Sequence, residues 1–265
     1  MARVTPALAR IEAALGAAAA ALVKYRPGAV QADRKENFDP VTAADVEIDA
    51  LLRETLQRPG EGWLSEETAD DPSRLALERV WVVDPLDGTK EFVEGLPEWC
   101  VSVALVEAGQ VVAAGVTNPA AGFTALGAAG VGCWLNSARV APTESRDAST
   151  CHVLASRSEV RRGEWRQWDG SSVRVEAMGS VAYKLARVAC GLADATWTLV
   201  PKHEWDIAAG VGLIEAAGGW ARTTEGRGPV FNQPHPWLPG LIAGAPGLAS
   251  SLTYEFVSQN GEARQ

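Results

Sequence analysis

At 265 residues and 47% hydrophobic side chains, the chain suits one large domain or two modest ones, and global disorder is excluded. A formal charge of −9 argues against nucleic-acid backbone binding as the main activity, and an acidic protein that handles phosphate needs a local cation, most cheaply a metal ion. The four cysteines (Cys100, Cys133, Cys151, Cys190) show no C-x-x-C and no zinc-like histidine spacing, so they read as reduced core thiols of a cytoplasmic protein.

The N-terminal run from Met1 through an Ala-rich stretch is broken by Arg10, Glu12 and Lys24, and it lacks the basic start and compact apolar region of a signal peptide. No segment approaches the roughly 20 uninterrupted apolar residues of a spanning helix, so no membrane role is expected. Thr5 can cap a helix with Pro6 in its first turn, and Leu8, Ile11, Leu15, Ala18 and Leu22 then share one face until about Tyr25–Gly28. Lys35 to Pro40 reads as a polar connection. Thr42 and Asp45 have capping-box spacing ahead of Ile48, Leu51, Leu52 and Leu56 at helical period; on spacing alone Asp45 is a capping residue.

Pro59–Gly62 is a loop, Trp63–Ser65 a short strand, and Glu66-Glu67 follow it. Val80–Val83 reads as a short buried strand that stops at Asp84, because Pro85 fixes φ and removes a ladder donor. Asp87-Gly88 supplies a tight turn and Thr89 opens a helix. Two carboxylates three residues apart, at the carboxyl end of a strand beside a helix start, suit a hard cation and a phosphate; a bare D-x-x-D-G is also simply an acidic turn. Val101–Val106 and Val111–Val116 form a hairpin, and Gly122–Leu126 another strand. The glycines of 127–132 are wrongly ordered for a dinucleotide loop.

The polar stretch from Pro142 to Ser149 marks a boundary, giving an N-terminal α+β subdomain (1–145) and a C-terminal α/β subdomain (146–265). In the second, Cys151–Ala155, Val173–Ala177, Ala193–Leu199 and Leu241–Ala243 read as strands. Gly179–Cys190 reads as a helix carrying Lys184 and Arg187, and Trp205–Gly210 leads into a helix of small apolar residues. Asp206 before that helix is by itself an N-cap.

Taken together, four elements closely resemble the inositol monophosphatase superfamily of metal-dependent, lithium-sensitive phosphatases. They are Asp39-Pro40-Val41-Thr42-Ala43-Ala44-Asp45, Ser65-Glu66-Glu67-Thr68, Asp84-Pro85-Leu86-Asp87-Gly88-Thr89 and Trp205-Asp206-Ile207-Ala208-Ala209-Gly210. The one small departure from the pattern is Ser65, where glycine is common. The resemblance implies an α/β (α+β) layered α-β-α-β-α sandwich with the site between its halves. It implies two or three Mg²⁺ ions on Glu66, Asp84, Asp87, Asp206 and the Leu86 carbonyl. It further implies that Thr89, hydrogen-bonded towards Asp45 and assisted by Glu66, orients and deprotonates an attacking water, which makes Asp45 catalytic as well as capping. Gly88 and Thr89 N–H groups would hold phosphate oxygens, with Asp87 and Asp206 also facing the substrate. Hard oxygen ligands suit Mg²⁺ on chemical grounds alone, and direct in-line attack needs no phospho-enzyme.

Lys90-Glu91-Phe92 after D-G-T looks more like the 3′(2′),5′-bisphosphate nucleotidases, and Lys184 sits where that branch places a substrate-contacting lysine. The expected substrate is therefore adenosine 3′,5′-bisphosphate, losing its 3′-phosphate. The alternatives are inositol-1-phosphate, histidinol phosphate or fructose-1,6-bisphosphate. For Lys184 a surface snorkel is the competing role, Arg157 is a weaker substrate-contact candidate, and His203 is placed near the pocket mouth. D-x-x-D spacing disfavours the haloacid-dehalogenase phosphatases, which need D-x-D, and the complete acid set speaks against an inactive binding relative. Partners are a small phosphorylated metabolite, no nucleic-acid polymer and, as among similar proteins, a second copy in a homodimer.

Overall fold

The computed structural model describes residues 5–29, 32–34 and 40–258; the Met1–Val4 start and the Lys35–Asp39 connection, including Asp39 of the first motif, lie outside the described residues. The chain runs α1 (Pro6–Leu22), β1 (Ala32–Arg34), β2 (Pro40–Thr42), α2 (Ala43–Leu56), β3 (Glu61–Ser65), β4 (Arg79–Asp87) and α3 (Thr89–Glu94). Strands β5 (Cys100–Glu107), β6 (Gln110–Asn118), β7 (Phe123–Ala128), β8 (Gly132–Leu135) and β9 (Ala138–Val140) follow. Next come β10 (His152–Ser156), α4 (Arg157–Arg162), β11 (Arg174–Met178), α5 (Val181–Ala189), β12 (Ala195–Thr198), β13 (Lys202–His203) and α6 (Glu204–Ala217). The last elements are β14 (Trp220–Thr223), β15 (Trp237–Leu238), β16 (Leu241–Gly244) and α7 (Tyr254–Ser258).

Strands β3 to β9 lie in sequence order in one seven-stranded sheet, parallel between β3 and β4 and antiparallel from there. A second sheet has the order β11-β10-β12-β16-β14. Strand alternation sorts the core into three. Trp81, Val83, Val101, Val103 and Leu105 pack under α1 and α2. Val80, Val82, Cys100, Ala104 and Val106 face α5 and α6, whose far side meets Leu154, Leu241 and Ala243 of the second sheet. Val153, Ala155, Trp197 and Ile242 face outward onto Trp165, Trp168 and Val257. The result is the expected α-β-α-β-α sandwich, with α5 and α6 as the shared middle layer.

A helix between two sheets must be apolar almost all round. In α6, Ile207, Ala208, Ala209, Val211, Leu213 and Ile214 are all buried. Gly210 is required by packing: a Cβ there would stand 2.3 Å from the Cβ of Leu185 on α5. Among the described residues no helix is long and apolar enough to cross a membrane.

Several boundaries differ from the sequence reading, among them the start of β3, at Glu61 inside the stretch read as a loop. Helix α1 stops at Leu22 rather than near Tyr25. Strand β4 does not stop at Asp84 but continues through Pro85 to Asp87. The parallel partner β3 ends at Ser65, opposite Val83, so beyond that point β4 has a neighbour on one side only. A register shift against β5 between Asp84 and Asp87 takes up the residue with no N–H.

Candidate active site

Three chain segments deliver acids to one edge of the sandwich. Glu66 follows β3, Asp84 and Asp87 lie in the bulged end of β4, and Asp206 stands in the first turn of α6. Carboxylate oxygens of Glu66, Asp84 and Asp206 all lie within 4.8 Å of one another, a spacing one metal ion can bridge. Asp84 is 1% exposed, and its Oδ1 accepts the Leu86 N–H at 3.0 Å, which pins the bulge. Asp87 belongs to the same electrostatic cluster and faces α5: its Oδ2 accepts from Ser180 Oγ at 2.7 Å and from the Ala182 N–H at 2.6 Å.

Packing like charges in a dry place opposes ionisation. Burial, then Glu66, Asp87 and Asp206, push Asp84 well above the usual carboxylate range. Burial also raises Asp87, against the Ser180 hydrogen bond, and lifts Asp206 to about 8 with Asp87 the next cause. A divalent cation is what such a set of hard oxygens needs.

Asp45 serves two partners. Its Oδ2 accepts from the Thr42 N–H (2.8 Å) and hydroxyl (2.6 Å), forming the capping box of α2, while Oδ1 lies 2.9 Å from Thr89 Oγ1. Thr89 Oγ1 also lies 2.9 Å from the Leu86 carbonyl, and its single proton serves one of the two at a time. Gly88 precedes α3 at φ +93°, where a Cβ would stand 2.7 Å from the Glu98 carbonyl; only glycine fits that turn.

Lys184 is not a surface snorkel. It is 4% exposed, in a cleft it shares with Ser156, Glu159, Thr196, Thr198 and Lys202. Burial lowers its pKa, and Asp87 is the first charge opposing that shift. Arg157 is committed elsewhere: Nε donates to Glu98 Oε2 at 2.9 Å, and Nη2 pairs with Glu98 Oε1. His203 caps α6 and stacks on Trp205 (centroids 4.1 Å, planes 11° apart) and against Trp237 (3.5 Å). Glu204 is fully buried, accepts from the Asn232 and Gln233 N–H groups, and is raised to about 7 by burial.

Two supports lay outside the sequence reading. Asp49, one turn beyond Asp45 on α2, accepts from Ser65 Oγ and Thr68 Oγ1 at 2.5 Å each, bracketing the Glu66 loop. The i, i+4 spacing of Asp45 and Asp49 was the available signal. Ser180, at φ +56°, caps α5 (Tyr183 N–H to Oγ, 3.0 Å) while donating to Asp87.

A layered sandwich with acids from three segments meeting at one edge suits metal-assisted hydrolysis of a phosphate ester. The chain belongs to the inositol monophosphatase family, whose model matches residues 4–260. It is 35% identical over 208 residues to an inositol-1-monophosphatase of Rhizobium meliloti, covering 75% of this chain and 77% of that one. It is 34% identical over 203 residues to a 3′-phosphoadenosine 5′-phosphate phosphatase of Mycobacterium bovis, covering 76% and 75% respectively. The crystal structure of the extragenic suppressor protein suhB from Bartonella henselae superposes with a TM-score of 0.81 at 26% identity, over 97% of this chain and all of that one.

Proposed function

We propose that this phosphatase removes the 3′-phosphate of adenosine 3′,5′-bisphosphate. The relatives' names divide almost evenly at 35% and 34% identity, so they do not choose the substrate. The observation that carries the choice is Lys184, 4% exposed, which lines a cleft with Lys202 and Glu159 and acts electrostatically on Asp87 of the acid cluster. A second phosphate on the substrate would answer that charge, and inositol-1-phosphate has none to offer.

In this reading Glu66, Asp84, Asp87, Asp206 and the Leu86 carbonyl hold two or three Mg²⁺ ions. The fit rests on the donor chemistry and on the raised carboxylates that a cation would relieve. When bound, Mg²⁺ supplies Lewis-acid chemistry that offsets phosphoryl charge and acidifies a water. The chain's residues do the rest. With its proton directed to Asp45 Oδ1, Thr89 Oγ1 presents lone pairs that accept from the water and aim it at phosphorus. As the water attacks, its proton passes through Thr89 towards Asp45, with Glu66 assisting. N–H groups at Gly88 and Thr89 receive phosphate oxygens, since Gly88 has no side chain to cap α3.

The test is a pair of specificity constants with Mg²⁺ present. Adenosine 3′,5′-bisphosphate is expected to exceed inositol-1-phosphate by at least about tenfold, some 1.4 kcal/mol of transition-state preference. The reverse ratio sinks the substrate assignment and leaves the phosphatase chemistry standing.

A further inference from the structure

We propose that Glu98, gripped by Arg157, is a positioning residue for the metal site: it fixes the Gly179–Ser180 turn and, through Ser180, the orientation of Asp87. The inference rests on the reading of Asp87 as a metal ligand and extends it to two residues that act on Asp87 only through that turn.

Glu98 lies between α3 and β5, beside the seven-stranded sheet, whereas Arg157 opens α4 behind β10 of the other sheet. The guanidinium meets the carboxylate as a fork, Nε donating to Oε2 at 2.9 Å and Nη2 to Oε1. Oε2 also accepts the Gly179 N–H at 2.7 Å, and Arg157 Nη2 reaches the Ala177 carbonyl at 3.3 Å. The connection from β11 to α5 is therefore held by its backbone on both sides of Met178. The Arg157 and Glu98 side chains are 25% and 16% exposed, so water screens this pair less than a surface one.

The residue after Gly179 needs that hold. Ser180 has φ +56° and ψ 119°, a setting that glycine tolerates and serine resists. Such a residue persists where its surroundings fix it. Glu98 fixes the turn from one side. On the other, Ser180 Oγ donates to Asp87 Oδ2 at 2.7 Å, and the Ala182 N–H donates to the same oxygen at 2.6 Å. Both bonds fall on one oxygen, so the turn decides the orientation of the other. There is no slack around it: a Cβ on Gly179 would stand 2.4 Å from Cδ of buried Glu91. One on Gly88 would stand 2.7 Å from the Glu98 carbonyl and 3.3 Å from Ser180 Cβ. The Gly88 turn, Glu98 and the Ser180 turn interlock around one carboxylate.

The experiment titrates the metal-free protein with Mg²⁺ alone, following the rise in melting temperature, and repeats the titration by phosphate release. Glu98→Ala should raise the midpoint of both curves about fivefold and leave kcat at saturating Mg²⁺ within about twofold. Glu98→Gln keeps an acceptor for the Gly179 N–H and should recover most of that affinity. In a Ser180→Ala background, Glu98→Ala should cost less than about twofold, because the hydroxyl it acts through is gone. An unchanged midpoint in Glu98→Ala, or its full loss on top of Ser180→Ala, overturns the proposal. Should Glu98→Ala not fold, Arg157→Met leaves the carboxylate without its fork and should shift the midpoint about twofold; no shift there overturns the proposal as well. Arg161→Ala is the control, since Arg161 and Glu94 join the same two segments through an exposed pair at 3.5 Å, and its loss should leave the midpoint alone. A loss equal to that of Glu98→Ala would mean that tethering α4 matters and the Gly179 bond does not, which overturns the proposal. Asp87→Asn separates the two failures. If it leaves the Mg²⁺ response untouched, the metal reading of Asp87 falls and the proposal with it. If it weakens the response while Glu98→Ala does not, the proposal falls alone.

Discussion

Two regions of the molecule, the acid cluster and the cleft around Lys184, are built on different electrostatic plans. One crowds four carboxylates, from the loop after β3, the bulged end of β4 and the start of α6, until burial lifts Asp206 to about 8. The other gathers two lysines from α5 and β13. The acid cluster sets like charges against one another, whereas the cleft sets Lys184 and Lys202 beside Glu159. Substrate is expected where the two meet, with a cation on one side of it and fixed ammonium groups on the other.

The sharpest way to break this contrast is to neutralise an acid without changing its shape. Asp87→Asn keeps an acceptor for Ser180 and Ala182, yet should lower kcat by at least about 10²–10³-fold, measured as phosphate release with saturating Mg²⁺. Wild-type turnover in that variant would remove Asp87 from the chemistry.

Next in size is the proton path. Thr89→Val should reduce kcat about 10²-fold with little change in KM, and Thr89→Ser should restore most of it, because the hydroxyl and not the methyl faces Asp45. Equal loss in both variants would point to packing.

Ser180→Ala removes one of the two donors that hold Asp87, and should cost about tenfold in Mg²⁺ affinity, read from the metal dependence of activity. An unchanged dependence would mean that the Ala182 N–H suffices.

The smallest effect is on stability. Asp84, Asp87 and Asp206 have folded-state pKa values above the ordinary 3.8, so between those limits the folded protein binds more protons than the unfolded one. Stability is then present at low pH and lost as pH rises towards about 8, where Asp206 ionises. In EDTA the melting temperature should fall across that window by about 2–4 °C per kcal/mol lost, and Mg²⁺ should abolish the fall. A melting temperature that climbs steadily with pH in EDTA would contradict the crowding.

The acid end was legible through four motifs that resemble the inositol monophosphatase superfamily; on local chemistry alone Asp45 and Asp206 read as caps and the Asp84–Gly88 stretch equally as an acidic turn. The layered fold followed from the same motifs. The lysine end was harder to read. Helical spacing cannot tell a lysine on a surface helix from one on a helix enclosed by two sheets, and Ala182, Tyr183, Lys184, Leu185 and Ala186 are all buried. Strands β8, β9 and β14 were missed because three or four residues carry too little pattern. The passage of β4 through Pro85 was missed because an edge that begins partway along a strand is a property of the neighbouring β3.

Gly210 leaves one consequence to draw. It lets α6 settle against Leu185 of α5, one helix bearing Asp206 and the other Lys184. The missing methyl sets the jaw width of a caliper whose tips carry opposite charge. Kin with a bulkier side chain at either contact would open the jaws and measure a longer molecule, with every ligand unchanged.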